Sequence, residues 1–234
     1  MTALRSALFA LALVLVTPPY AVVALLSFPL PRMARYRLIS AWSRLVIWLA
    51  WWLCGIRWKI EGRRHLPDEP AVILSQHQSA WETLAFQRIF PPQVHVLKRE
   101  LLWIPFFGWG LALMSPIAID RQRGMAALRG MARQGRERLA QGFWVVVFPE
   151  GTRVRPGERR AYQLGGAWLA AASGAPVVPV AHNAGLLWPR NSFLKRPGTV
   201  TVRIGPPIDT QDRDPKAINA MAETWIEEQQ KALC

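Results

Sequence analysis

Between Ala71 and Ile204 the chain carries six short apolar runs separated by longer stretches of mixed polarity, and no other feature restricts its possible folds as much. The runs cover 71–76, 94–98, 115–120, 143–148, 177–181 and 199–204. Each has the ordinary length of a strand. Several are apolar on both faces, as strands covered by helices are. The stretches between and after them predict helices over 80–89, 125–141, 162–173 and 216–233. This alternation predicts an α/β domain with a central, largely parallel or mixed sheet flanked by helices. At 234 residues the chain is long enough for such a domain to bury a pocket without disulfides or structural metals.

The first 57 residues follow a different pattern and predict an N-terminal, membrane-associated helical segment ahead of an α/β domain over 58–234. Ala7 to Leu30 contains no charged residue, and at ~1.5 Å per residue a helix of that length crosses a core ~30 Å thick. Pro18 and Pro19 in its middle predict a break or kink. Three readings stay open: a single span or signal anchor, a bent helical hairpin lying in one leaflet, and a cleaved signal peptide. The last is opposed by the lack of a small-x-small cleavage site after the apolar run. Arg32, Arg35 and Arg37 follow the segment and only Arg5 precedes it, which puts the remainder in the cytoplasm if the segment spans. Leu45 to Ile56, with Trp48, Trp51 and Trp52, is too short to span. It reads as an interfacial helix or as a buried core helix.

Charge narrows the partners. The net charge is +14, and 24 of the 29 basic residues are Arg, whose planar fork suits phosphate. An anionic lipid surface, a phosphorylated small molecule and nucleic acid all fit that bias. Cys54 and Cys234 make no disulfide framework, and the histidines (65, 77, 95 and 182) show no metal-ligand spacing, so neither a metal nor a resident cofactor is expected.

In open α/β sheets, sites gather beyond the carboxyl ends of the strands. The runs are followed or closed in turn by His77, by Lys98, by Asp120 and Arg121, by Glu150 to Arg153, and by His182 and Asn183. Parallel strands would bring these groups to one rim. In the first group, Ser79-x-x-Glu82 ahead of an apolar helix is a capping-box pattern, so Glu82 has a structural role to fill. A side chain at the third helical position also points back toward the N-terminus, where His77 lies. Glu82 is therefore placed to accept from one ring nitrogen of His77 and leave the other as a general base. In the group Phe148-Pro149-Glu150-Gly151-Thr152-Arg153, a strand ends at a Pro and a Gly permits a tight turn. Thr152 and Arg153 then offer a hydroxyl and a fork to an anion; a plain polar loop is the competing reading. His182 reads as a satisfied structural histidine, and His65 and His95 as surface or strand residues. The arginines at 129, 133 and 136 read as a solvated helix face or as a contact with anionic lipid.

Together these blocks resemble the glycerolipid acyltransferase family, in particular the 1-acyl-glycerol-3-phosphate acyltransferases. The family's first block, His, four residues, then an acid, reads His77-Gln-Ser-Ala-Trp-Glu82. The block Phe-Pro-Glu-Gly-Thr-Arg is complete from Phe148 to Arg153. Another resembles Lys98 to Gly108 leading to Asp120-Arg121, and a fourth resembles Val177-Val178-Pro179-Val180. Glu82 stands where Asp is usual, and Gln76 where Asn often precedes the His. The resemblance covers roughly Trp58 to Ile208 and implies transfer of a fatty acyl group from acyl-CoA or acyl carrier protein, as donor substrate, to the sn-2 hydroxyl of lysophosphatidic acid, giving phosphatidic acid at the cytoplasmic face of the inner membrane. It implies that His77 is the base and Glu82 its partner, and that Glu150, Gly151, Thr152 and Arg153, with Lys98 and Arg121, hold the phosphate end. The alternatives are acyl transfer to another lysolipid, such as lyso-ornithine lipid, and a basic membrane-tethered protein that binds nucleic acid. No helix-turn-helix, RNP-type or zinc signature supports the last.

Overall fold

The computed structural model describes residues 1–233; the side chain of Arg121 and the whole of Cys234 lie outside the described part. Its elements run α1 (Thr2–Leu26), α2 (Arg32–Cys54), β1 (Ile56–Glu61), β2 (Val72–Ser75), α3 (Trp81–Ile89), β3 (Gln93–Lys98), α4 (Phe107–Leu113), β4 (Ile117–Ile119), α5 (Met125–Ala140), β5 (Trp144–Val147), α6 (Gly165–Ser173), β6 (Val177–His182), α7 (Ala184–Leu187), β7 (Gly198–Ile204) and α8 (Pro215–Leu233). All six apolar runs form strands, and the four expected helices form within a few residues of their expected bounds. β1, α4 and α7 are additional to that reading.

The seven strands make one sheet in the order β1-β7-β6-β2-β5-β3-β4. β6, β2, β5, β3 and β4 are mutually parallel. β7 runs antiparallel to β6, and β1 is parallel to β7, so these two strands run against the other five. The sheet is thus mixed, with its parallel part where the sequence places the functional residues.

Strand periodicity sorts side chains onto two layers. Ile73, Val146, Val178 and Val180 meet Phe9 of α1, Val46, Ile47 and Ala50 of α2, and Trp81, Ala85 and Phe86 of α3. Val72, Leu74, Val145, Val147 and Val177 meet Met131 and Leu139 of α5, Leu169 of α6, and Ile218, Ala222 and Ile226 of α8. Helices α1–α3 therefore cover one face and α5, α6 and α8 the other. Arg129 and Arg133 are exposed on the face away from α1, and Arg136 donates to the Ala172 carbonyl at 2.9 Å, so the stripe lies on the opposite side of the sheet from the apolar N-terminal helix.

The N-terminal segment departs from expectation in one respect. Pro18 and Pro19 do not break α1, which continues through them as one helix. The helix is braced there by α2: Trp42 Nε1 donates to Thr17 Oγ1 at 3.3 Å and Tyr20 Oη to the Leu38 carbonyl at 2.5 Å. Neighbouring helices and side chains are what make interior prolines tolerable. The Leu45–Ile56 run is the end of α2 and the start of β1, with one side in the core and the other exposed. Val46, Ile47, Ala50 and Cys54 are in the core, while Trp48, Trp51 and Trp52 are exposed. Both ends of α1 are fastened to the α/β domain. Near its start, Ser6 Oγ accepts from the Lys195 backbone N–H at 2.9 Å. Beyond its end, Arg35 donates to the Leu113 carbonyl at 2.7 Å and to the Phe28 carbonyl at 3.3 Å.

Candidate active site

β2 is buried along its whole length and delivers the chain to the rim at Ser75. The next four residues, Gln76 to Ser79, form a turn that precedes α3, and nearly every polar group in it is held. Ser79 Oγ accepts from the Trp81 N–H at 3.0 Å, and Glu82 Oε1 accepts from the Ser79 N–H at 2.7 Å and the Gln78 N–H at 2.9 Å. Ser79 and Glu82 make these bonds as the capping pattern predicts, but the helix begins one residue later than expected, at Trp81 with Ala80 as N-cap, so Glu82 is its second residue and not its third. The same Glu82 oxygen lies 2.8 Å from His77 Nδ1. The cap and the histidine contact are thus one arrangement: the backbone bonds fix the carboxylate, and the fixed carboxylate orients the imidazole.

Glu82 is fully buried, and His77 keeps 17% of its side chain accessible. Burial by itself would raise the Glu82 pKa. The hydrogen bond from His77, the electrostatic influence of the nearby His182 and His77 rings, and the Ser79 N–H outweigh it and hold Glu82 below the ordinary carboxylate value. An ionised Glu82 fixes the tautomer with the proton on Nδ1. Nε2, which no hydrogen bond reaches among the described residues, is left as the basic atom.

The end of β5 packs against this turn. Phe148 stacks on the imidazole with ring centroids 4.2 Å apart and planes 16° apart. Glu150 Oε2 accepts the His77 backbone N–H at 2.7 Å, and Val154 N–H donates to the His77 carbonyl at 2.7 Å. The Phe148–Val154 segment therefore grips His77 by ring and backbone. Gly151, at φ +70°, makes the tight turn possible, its N–H reaching the Phe148 carbonyl at 3.0 Å. Burial pushes the Glu150 carboxyl up to about 8, and the nearby Glu227 and Glu82 push the same way against the His77 N–H. Thr152 and Arg153 are half-buried beside it, and Arg153 Nε is a buried donor without a partner among the described residues.

The parallel strands bring the other sequence candidates to the same rim at different distances along it. His182, at the end of β6, is fully buried and satisfied: Nε2 donates to the Gln76 carbonyl at 3.1 Å and Nδ1 accepts from Ala184 N–H at 3.3 Å. Burial lowers its pKa, in keeping with a neutral structural role. Lys98 is exposed at the end of β3, and residue 121 opens a 3₁₀ turn that follows β4, with Asp120 capping that turn. Among the described residues, Lys98 makes no hydrogen bond or ion pair with His77 or Glu82, and the side chain of Arg121 lies outside the described part. Two residues named in the sequence have places at the site that the sequence did not assign to them. One is Phe148, as the platform of the imidazole. The other is His95 on β3, whose ring lies nearly parallel to Phe148 at 6.0 Å and whose Nε2 is buried without a partner among the described residues. Burial, with the nearby charge on His77 second and Glu82 opposing, lowers the His95 pKa to about 4. No group of His, Cys, Asp and Glu among the described residues has the arrangement of a metal site.

A partly accessible histidine with an ionised, buried carboxylate partner on one ring nitrogen can take a proton from an alcohol on the other. Comparisons with known proteins agree with that chemistry. Residues 57–183 match the family model described as Acyltransferase. The chain is 48% identical over 203 residues to a 1-acyl-sn-glycerol-3-phosphate acyltransferase of Pseudomonas aeruginosa, covering 85% of this chain and 79% of that one. It is 33% identical over 204 residues to the protein of the same name from Limnanthes douglasii, covering 86% and 72%. Its fold matches the crystal structure of a 1-acyl-sn-glycerophosphate acyltransferase from Thermotoga maritima with a TM-score of 0.79 at 22% identity, over 100% of this chain and 98% of that one.

Proposed function

The chain belongs to the acyltransferase family, and from that premise we propose that it transfers a fatty acyl group from acyl-CoA or acyl carrier protein to the sn-2 hydroxyl of 1-acyl-glycerol-3-phosphate, giving phosphatidic acid. The observation that carries this reading is the 2.8 Å contact between His77 Nδ1 and Glu82 Oε1, which occupies one ring nitrogen of a side chain 17% accessible and leaves Nε2 as the base. Nε2 takes the proton of the acceptor hydroxyl as its oxygen attacks the thioester carbonyl. The tetrahedral intermediate collapses with loss of the C–S bond, and the leaving thiolate takes the proton back from the imidazolium. Glu82 stabilises the imidazolium in between, as the carboxylate of a hydrolase triad does. The nucleophile is the acceptor's own oxygen, so no acyl-enzyme is formed. Phe148 and the bonds to the His77 backbone keep the ring from turning away.

The unpartnered Nε of Arg153 supports a phosphate-bearing acceptor, because a buried guanidinium donor left unsatisfied is costly until an anion meets it. Lys98 and Arg121 are second candidates for the same phosphate. Gly151 and Thr152 are proposed to hold the phosphate with Arg153, whereas Glu150 serves the reaction through the His77 backbone. Membrane association is part of the proposal and is supported by the apolar, largely exposed α1. If α1 spans, Arg32, Arg35 and Arg37 at the start of α2 put the α/β domain in the cytoplasm. The nucleic-acid reading falls with the assignment to an enzyme family.

The test is acyl transfer from labelled acyl-CoA to lysophosphatidic acid by membranes containing the wild type or His77→Ala. Loss of general-base work lowers the rate by about 10²–10⁴-fold, and an unchanged rate sinks the mechanism. Arg153→Ala serves as the second arm. A raised KM for lysophosphatidic acid supports the phosphate acceptor, and an unchanged KM favours an acceptor without phosphate, such as lyso-ornithine lipid.

A further inference from the structure

From Leu101 to Ile119 the chain has no charged residue, yet the first part of this stretch is not in the core. Leu101, Trp103, Ile104, Phe106, Phe107 and Trp109 are all exposed, Trp103 by 70%, Phe106 by 63% and Phe107 by 58%. Single apolar residues on a surface are ordinary, but six large ones within nine positions form the kind of contiguous patch that marks an interface.

The patch is also built rather than slack. Gly108 sits so close to the preceding turn that a Cβ there would lie 2.5 Å from both the Leu101 and Leu102 carbonyl oxygens. The start of α4 is thus docked on the backbone of residues 101–102. Phe106 is held at φ +60°, ψ −56°, a conformation that crowds an aromatic side chain. Its ring lies against Trp109 with centroids 5.3 Å apart, on the outer side. A strained turn whose effect is to hold aromatic rings in water adds nothing to the core and calls for a partner that receives them.

We infer that residues 101–109 form a second lipid-inserting wedge, which enters the bilayer beside the α1–α2 hairpin and holds the catalytic rim at the lipid surface. This rests on the membrane reading proposed above and adds a contact to it. Three observations select a bilayer as the occupant. The wedge is continuous with the exposed apolar side of the hairpin, since α4 packs on both α1 and α2 and Leu113 accepts from Arg35. Trp103 and Trp109 are the residue type that settles at a lipid–water boundary. Lys98 and Arg99, both exposed, immediately precede the apolar run and suit the level of anionic headgroups. The wedge leaves the end of β3, which pairs with β5, the strand that carries Phe148 to His77. An acceptor lipid then reaches the rim in the plane of the bilayer.

The experiment uses the full-length chain with Cys234→Ser and one added cysteine at a time, Trp103→Cys, Leu11→Cys or Arg129→Cys, each carrying an environment-sensitive fluorophore. Cys54 is buried and stays unlabelled. With vesicles of phosphatidylcholine and phosphatidylglycerol carrying nitroxide on the acyl chains, the labels at 103 and 11 are quenched and the label at 129 is not. Quenching at 11 without quenching at 103 overturns the wedge and leaves the membrane reading intact. No quenching at either position overturns both, and equal quenching at 129 overturns the assignment to one face. In parallel, Trp103→Asp combined with Phe107→Asp weakens vesicle binding by at least about tenfold with unchanged circular dichroism. Unchanged binding in that variant also overturns the wedge.

Discussion

Glu82 Oε1 accepts from three donors at once: the His77 ring and the backbone N–H groups of Gln78 and Ser79. Its charge matters more than its shape, because a neutral acceptor keeps the cap but no longer stabilises an imidazolium. Glu82→Gln is therefore expected to fold with a melting temperature near that of the wild type while kcat falls by between about 10²- and 10⁴-fold. Equal kcat in the two proteins would reduce Glu82 to a helix cap. Glu150 has the opposite electrostatics. Its carboxyl is pushed up to about 8 when folded, against about 4.3 for an unperturbed Glu, so between those values the folded protein holds a proton that the unfolded chain has released. The stability linked to that proton is fully present below about 4.3 and is lost as pH rises through about 8. Glu150→Gln keeps an oxygen for the His77 N–H and removes the titration. Thermal unfolding of the two proteins across this window should show the wild type losing stability with rising pH relative to the variant. Parallel pH profiles would mean that Glu150 is not held protonated.

At the scale of elements, α3 shows how a stability device and a catalytic device share residues. Ser79 Oγ satisfies the Trp81 N–H, one of the donors a helix start leaves open. Ser79→Ala should cost about 1 kcal/mol, which for a domain of this size lowers the melting temperature by about 2–4 °C. Glu82 still binds the Ser79 backbone N–H in that variant, so kcat should change far less than in Glu82→Gln. A collapse of kcat would show that the hydroxyl itself positions His77. The pairing of His77 with Glu82 was legible in the sequence because it is local, set by a turn and a cap within six residues. The parallel strands were legible because Val72 to Ser75 and Trp144 to Val147 are buried on both faces and read as continuous apolar runs. β1 was not, since Arg57, Trp58 and Lys59 are at least partly exposed on an edge strand and break the apolar signal. The platform under His77 was out of reach for a different reason. Phe148, Glu150 and His95 meet the catalytic turn only through the register of β5 against β2 and β3, which pairs Val145 with Val72 and with Val94. No local pattern encodes that pairing.

On the scale of the whole molecule, the N-terminal helices decide how the chain meets a bilayer. α1 is long and apolar enough to cross one, and from length alone a span and a one-leaflet hairpin are equal. The contacts at its two ends are not neutral between them. Ser6 is bonded to the backbone of Lys195, and the turn after α1 is held to Leu113 through Arg35, so both ends of the helix rest on one α/β domain. A perpendicular span would have to break one of these attachments and expose Phe9, which is 1% accessible and packs edge-on to Trp188 at 5.3 Å. A hairpin lying in one leaflet keeps every one of them and still gives lipid the exposed side of α1, including Leu8, Leu11, Leu15 and Val22. The expected topology therefore has Met1 and the catalytic domain on the same side. In sealed vesicles, Thr2→Cys and Arg155→Cys, each in a Cys234→Ser background, should react with a membrane-impermeant maleimide to the same extent from outside. A span instead shields position 2 wherever position 155 reacts, and that pattern would require α1 to leave the domain surface on insertion.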